Sequence, residues 1–577
     1  MDRDRKMSAR EIEGLIADGH TIVIFEESVL RLDSWVPKHP GGRLAILHMV
    51  GKDATDEINA YHSAATLKTM KAFRIGRKPA GVWTNSTPPI RGGIYEKYEA
   101  LPGAQSDELS VSDTEESTIA DSIGRVTDRS SPTTTISECS SEPECPETDN
   151  EKEVDVAAGL GLNKVASEKP EAVLTARSQA LLSAARYTDW ALQQEIDGDV
   201  VDYPSLDVDV QQDIVRKYRI LHQKVKDGGH YDCRYLEYGK EMVRYSTLFM
   251  LFVVFCRYEW YMTSAVFLGM FWHQIMFSAH DAGHLAITNN FVIDTLIGTI
   301  VADLLCGLSI GWWKSSHNVH HLITNSPEHD PDTQNVPIFA TSPAFFKSLH
   351  SSYYDFTYIW DAAADFIVPF QRYSYYPIMG VARFNLYFLS WLHVFSAKAG
   401  SLGESKAWWI RPLEAAFMSI FWYVFGYLFV WCTLPTWPIR IGFVLISHIV
   451  TMPLHVQITL SHWGMSHADH GDGESFPQRQ LRTTMDVDCP AWFDWFHGGL
   501  QFQAVHHLFP RVPRHNLRRV QFLVREFCEE TGIPYSILGF VDGNMKVLDR
   551  LQAVGDQVKN LINCQKYMAE TGESGLH

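Results

Sequence analysis

The sequence predicts a small α+β domain joined by an acidic linker to an all-α integral membrane domain. Four transmembrane helices and a cytosolic cap of histidine clusters make up that second part. Three observations carry this prediction. Polarity is sharply uneven along the 577 residues, the 25 histidines fall in short clusters, and those clusters sit beside apolar stretches. The net charge of −18 argues against a nucleic-acid partner. Residues 101–171 alone hold 17 acidic and 5 basic side chains.

Residues 8–82 read as an independent domain. Ser8 followed by Glu11 is a helix-start signal, 20–25 and 28–32 have strand composition, and a helix begins after Pro40-Gly41-Gly42. Residues 101–186 contain no aromatic side chain and are rich in Ser, Thr, Pro and Glu. Such a stretch cannot bury enough apolar area to offset chain entropy, so a disordered acidic linker is expected. The N-terminus has no apolar signal region. The nine cysteines include no CxxC pair, as expected of reduced thiols.

The membrane domain is assigned to 215–545, followed by a tail at 546–577. Apolar stretches 242–256 and 260–279 form one expected hairpin, and 413–434 and 438–460 a second. Lys240, Arg244, Lys406 and Arg411 place the hairpin bases in the cytosol. A fifth stretch, 291–313, contains Asp294 and Asp303. A crossing there would separate the histidine clusters, so it is expected to be interfacial or re-entrant, as is 384–395.

The first chemical motif is WVPKHPGG, with His39, followed 23 residues later by His62. Two neutral imidazoles facing each other across a slot hold a six-coordinate heme, which passes electrons and leaves no position for dioxygen. Over residues 8–82 the pattern resembles cytochrome b5, with His39 and His62 as axial ligands of heme b. His20 and His48 read as surface or packing histidines.

Three further clusters follow: His280 with His284; His317 with His320 and His321; and Gln503 with His506 and His507. Spacings of three and four put each cluster on one helical face. Imidazole-rich sites with open positions suit iron that binds dioxygen, and no cysteines accompany them. Over 8–82 and 215–545 the chain resembles the membrane fatty-acyl desaturase and hydroxylase family. The Gln-led third box and the fused heme domain narrow this to front-end desaturases, most like the fungal Δ8 sphingolipid branch.

The resemblance implies a diiron centre held by the box histidines. It also implies O2 as oxidant and electrons from NADH, delivered by a separate cytochrome b5 reductase to the fused heme. Substrate and location are implied likewise: a ceramide gaining a C8–C9 double bond, in the endoplasmic reticulum. Gln503 replaces a histidine of simpler acyl desaturases, leaving one nitrogen ligand to find. His462 is the candidate, because His448, His455 and His462 are spaced by seven and His462 lies nearest the boxes. His448, His455 and His273 are expected to pack or line a cavity. Glu328, Asp330 and Asp332, with Asp281 and Asn318, are candidates to orient the imidazoles. Two alternatives are a front-end acyl desaturase and a b5-fused lipid hydroxylase. A third is a non-enzymatic electron-transfer or lipid-sensing protein.

Overall fold

The computed structural model describes residues 3–97, 184–396 and 408–571. Most of the predicted linker, 101–183, lies outside the described residues, and the predicted linker end at 186 falls inside a helix that begins at Ala184.

Helix α1 (Ala9–Ala17) starts where Ser8 accepts a hydrogen bond from the Glu11 amide, and it buries Ile12 and Ile16. Strands β1 (Ile22–Phe25) and β2 (Ser28–Arg31) pair antiparallel. Beyond them, α2 (Arg43–Leu47), α3 (Thr55–Tyr61) and α4 (Ala64–Met70) wall a slot. A third strand absent from the sequence reading, β3 (Arg74–Arg77), pairs with β2 and closes the sheet. Gly42, at φ +89°, makes the turn into α2.

The segment between linker and membrane region folds as α5 (Ala184–Asp202) and α6 (Val208–Asp227). Glu195 on α5 pairs with Arg550 at 2.9 Å, and Asp199 with Arg482 at 3.0 Å. Next come two antiparallel helices, α7 (Tyr235–Arg257) and α8 (Tyr261–Gly283). The stretch 291–313 is broken: α9 (Phe291–Thr299) ends near a reversal at Gly307, φ +72°, and α10 (Ile310–Leu322) sets off anew. Asp294 and Asp303 are fully buried, accepting hydrogen bonds from Thr288 and from the Ile310 amide. Neither half is long enough to cross a bilayer.

Three helices among the described residues are long and apolar enough to cross: α11 (Ala362–Phe395), α12 (Ile410–Thr433) and α13 (Trp437–Leu460). This differs from expectation at 384–395, which is the end of a 34-residue helix. That helix carries Pro377 in its interior. Near Pro453, α13 bends, so the heptad row of His448, His455 and His462 does not keep one face. Phe388, Leu392, Tyr423, Leu428 and Leu445 present an exposed apolar surface, while Trp272, Phe421, Phe425 and Phe443 pack inward.

Helices α14 (Phe476–Thr483), α15 (Gln503–Leu508), α16 (Arg514–Thr531) and α17 (Phe540–Thr571) complete the chain. The boundary drawn at 545/546 is corrected here. It cuts α17, whose Val547, Leu551, Val554 and Val558 are buried against the body. Its apolar spacing of three and four marks a packed helix face rather than a tail.

Candidate heme slot and histidine centre

The slot between α2 and α3 brings His39 and His62 together, with ring centroids 6.0 Å apart. Each ring is oriented through Nδ1, His39 to the Gly42 carbonyl and His62 to the Ile58 carbonyl, both at 2.9 Å. The Nε2 atoms are thereby left for a ligand. A separation near 6 Å matches one metal ion at roughly 2 Å from each nitrogen. Burial, with the neighbouring His39, pushes His62 down to about 4, and burial lowers His39, so both rings are neutral and able to ligate.

The slot opens against the second histidine cluster. The Asn318 amide, inside that cluster, donates to the Gly41 carbonyl at 3.2 Å. A Cβ at Gly41 would lie 2.8 Å from His39 Cε1 and 3.4 Å from Asn318 Nδ2, so the close approach requires glycine. Leu322, at the end of α10, packs with Val23, Leu30 and Ile46 of the heme domain. Ion pairs Lys52–Asp472 (2.6 Å), Arg91–Asp469 (2.8 Å) and Arg219–Asp56 (2.8 Å) span the same junction.

The three boxes converge on two groups of ligand atoms. His280, His284, His317 and His506 form one group; His320, His462 and His507 form the other. Within each, the ligand atoms lie within 4.8 Å of one another. His321 lies among both, its ring centroid 4.9 Å from His284, 4.8 Å from His506 and 4.0 Å from His507. Its Nε2 is 3.0 Å from that of His317. The Nε2 atoms of His280, His284, His506 and His507, Nδ1 of His462 and Oε1 of Gln503 are buried without a hydrogen-bond partner. An unsatisfied buried polar atom costs about 1–3 kcal/mol, so this many converging in one place fits sites built for metal ions.

Neighbouring side chains orient these rings. His320 Nδ1 meets Asp330 at 2.8 Å, and His507 Nδ1 meets Gln480 at 2.9 Å. Burial alone would depress His320, but Asp330 and Asp332 outweigh it and push it up to about 9. Burial and adjacent imidazoles hold His317, His321 and His507 well below the ordinary histidine range.

The expected orienting residues divide. Asp330 takes that role for His320. Asp332 lies 3.8 Å from His320, and Glu328 instead lies 3.8 Å from His329. Asp281 pairs with Arg514 and Tyr238, standing 3.7 Å from His280. Asn318 serves the heme-domain contact. His448 stacks on Phe384 at 4.5 Å, His455 bonds the Met379 carbonyl, and His273 packs on Phe496. His48 is buried beside His329, and His20 sits at the surface near Asp33. Among other histidines, His470 pairs with Asp199, His497 bonds Gln457 and His467 bonds the Met465 carbonyl. Gln480 and Arg514 were missed, since nothing local in the sequence marks their partners.

The Cytochrome b5-like Heme/Steroid binding domain family matches residues 8–78, and the Fatty acid desaturase family matches 259–539. A "Delta 8-(E)-sphingolipid desaturase" of Emericella nidulans is 48% identical over 575 residues, 100% of this chain and 99% of the relative. The chain belongs to the cytochrome b5-fused desaturases. It is therefore an oxidoreductase, and its heme domain and apolar helices accord with a heme-containing membrane protein. A Candida albicans relative of the same name is 45% identical, with 98% of each chain covered. A "Delta(8)-fatty-acid desaturase" of Helianthus annuus is 37% identical over 61% of this chain and 76% of its own.

Proposed function

We propose that this desaturase introduces the C8–C9 double bond into the long-chain base of a ceramide, using two iron ions and a fused heme b. The observation that carries the metal reading is the convergence of orphaned imidazole nitrogens in two groups beside a bis-histidine slot. Full-length similarity to chains named Delta 8-(E)-sphingolipid desaturase supports the substrate.

His280, His284, His317 and His506 would hold one iron, and His320, His462 and His507 the other, with His321 between them. Gln503 Oε1, unpartnered on the same face as His506 and His507, is available to either ion or to a bound ligand. Bound iron would supply the O2-dependent oxidising power that no side chain has toward an unactivated methylene. The protein's part is positioning. Asp330 and Gln480 fix two rings through Nδ1, and burial keeps most of the imidazoles neutral. Gly41 lets the slot of His39 and His62 sit against α10 at the Gly41–Asn318 contact, beside the boxes that would hold iron. NADH would reduce the heme through a separate cytochrome b5 reductase. In this reading the apolar stretches of α7 and α8 join α12 and α13 as four spans, and α11, though long and apolar enough to cross, lies along the interface; the boxes and both termini then face the cytosol, and the membrane is the endoplasmic reticulum.

The test is lipid mass spectrometry on a host lacking Δ8-unsaturated sphingoid bases and expressing the full chain. Δ8-unsaturated bases appear with the parent and vanish with His39→Ala and with His317→Ala. His462→Ala lowers iron bound per heme. The similarity to a Delta(8)-fatty-acid desaturase favours a second reading, the acyl branch. Newly unsaturated acyl chains beside unchanged sphingoid bases would establish it and overturn the ceramide assignment.

A further inference from the structure

The segment that leads into the third box holds two outward-facing tryptophans. It folds as one turn of 3-10 helix, Ala491–Phe493, followed by a short α-helix, Asp494–His497. Trp492 is 74% exposed and Trp495 40%, whereas His497 is buried. Contacts with α8 and α13 set its depth. Phe496 packs on His273 of α8, ring centroids 5.1 Å apart, and His273 lies two helical turns, roughly 10 Å, before His280. The preceding Trp272 meets His448, near the middle of α13, at 5.3 Å. His497 Nδ1 bonds Gln457 of α13 at 2.7 Å, and Leu500 packs with Phe277 and Leu454. Gly498, at φ +59°, presses against Phe277 and leaves no room for a Cβ. The segment therefore reaches below the level of the boxes, alongside the box-proximal half of a helix long and apolar enough to cross a bilayer. Its polar groups are satisfied within the protein: Asp494 meets Arg518 at 2.8 Å and Gln501 at 3.0 Å, and the Gly498 amide donates to the Asp494 carbonyl at 2.8 Å. Irregular backbone is tolerated at membrane depth under that condition. The Arg244 guanidinium lies 5.5 Å from the Trp495 ring centroid, and cation and indole together suit a bilayer interface.

We propose that 491–496 is a re-entrant loop seated in the bilayer, where Trp492 and Trp495 contact lipid acyl chains. This rests on the span reading above, in which α8 and α13 cross side by side. An exposed aromatic patch marks an interaction site, and at this depth the partner it fits is lipid rather than a soluble protein. Only 497–502 separate the loop from Gln503, so the third box is moored to the bilayer by its own chain.

The experiment labels the full-length chain in phosphatidylcholine nanodiscs from both solvents and reads the modified residues by peptide mass spectrometry, with no variant needed. A diazirine on the lipid acyl chain supplies carbene from the membrane side, and hydroxyl radicals act from water. Trp492 and Trp495 should take up carbene as Leu445, on the exposed face of α13, does. Val82 and Ile94, exposed on the heme domain, should be oxidised from water and take none. Oxidation of Trp492 and Trp495 from water without carbene uptake overturns the re-entrant loop. Neither label at the two tryptophans means that protein covers them, a second copy of the chain included, and overturns it as well. A chain whose Leu445 takes up no carbene overturns the span reading instead, so the two failures are distinct.

Discussion

Replacing Asp330 tests the histidine centre without touching a ligand. Asp330 is fully buried, and its carboxylate accepts hydrogen bonds from His320 Nδ1 at 2.8 Å, the Asn325 amide at 2.8 Å and the Asp332 amide at 2.9 Å. It therefore fixes both the His320 ring and the turn after the second box. Hydrogen bonds to a charged group are worth about 1.5–3 kcal/mol each. Loss of a partner behind a ligating histidine costs 10–100-fold in metal affinity. D330N keeps the shape but not the charge, and should lose about tenfold in affinity for the second iron. D330A strands three donors and should approach about a hundredfold, with lower stability. Iron per heme, measured by elemental analysis after dialysis against graded chelator, reads the affinity. D332N is the internal comparison: Asp332 is 3.8 Å from His320 and partly exposed, so its effect should be far smaller. Equal iron retention in D330A and the parent, or a D332N effect as large as that of D330N, would refute the reasoning.

Three further outcomes are expected. G41A drives a methyl against His39 Cε1 and Asn318, so heme per chain falls in the pyridine hemochrome assay while the box iron is retained. L551A opens a cavity under α17 where the side chain is fully buried; about 2–5 kcal/mol of stability is lost, seen as a lower denaturant midpoint. Burial pushes Glu57 up to about 7 at the domain junction, so the folded chain keeps this proton after the unfolded chain has released it near 4.5. Stability then declines as pH rises between those values, and E57Q should melt higher than the parent at pH 8 but level with it at pH 5.

Local chemistry was legible in the sequence wherever spacing along one element sets it. The HPGG turn, the interval from His39 to His62 and the three boxes needed only helical periodicity and the preferences of imidazole. The Ser8 cap and the first two strands were legible for the same reason. Lengths of elements were less so. The apolar stretch 384–395 is only the end of a 34-residue helix, and α17 read as a tail although its buried valines and Leu551 belong to the body.

By itself, the sequence determined which residue types could hold heme and metal, and that apolar helices flank them. Only the tertiary structure decided how the box histidines divide into two groups and that His462 joins His320 and His507. Only it put Asp330 behind His320, Gln480 behind His507, and the Gly41 turn against Asn318. The physical reason is range. Periodicity fixes which side of a helix a residue takes, whereas a ligand set is assembled from helices hundreds of residues apart, whose mutual placement follows from tertiary contacts such as Asn325 to the His462 carbonyl, Gln480 to the His321 carbonyl and Arg514 to Asp281.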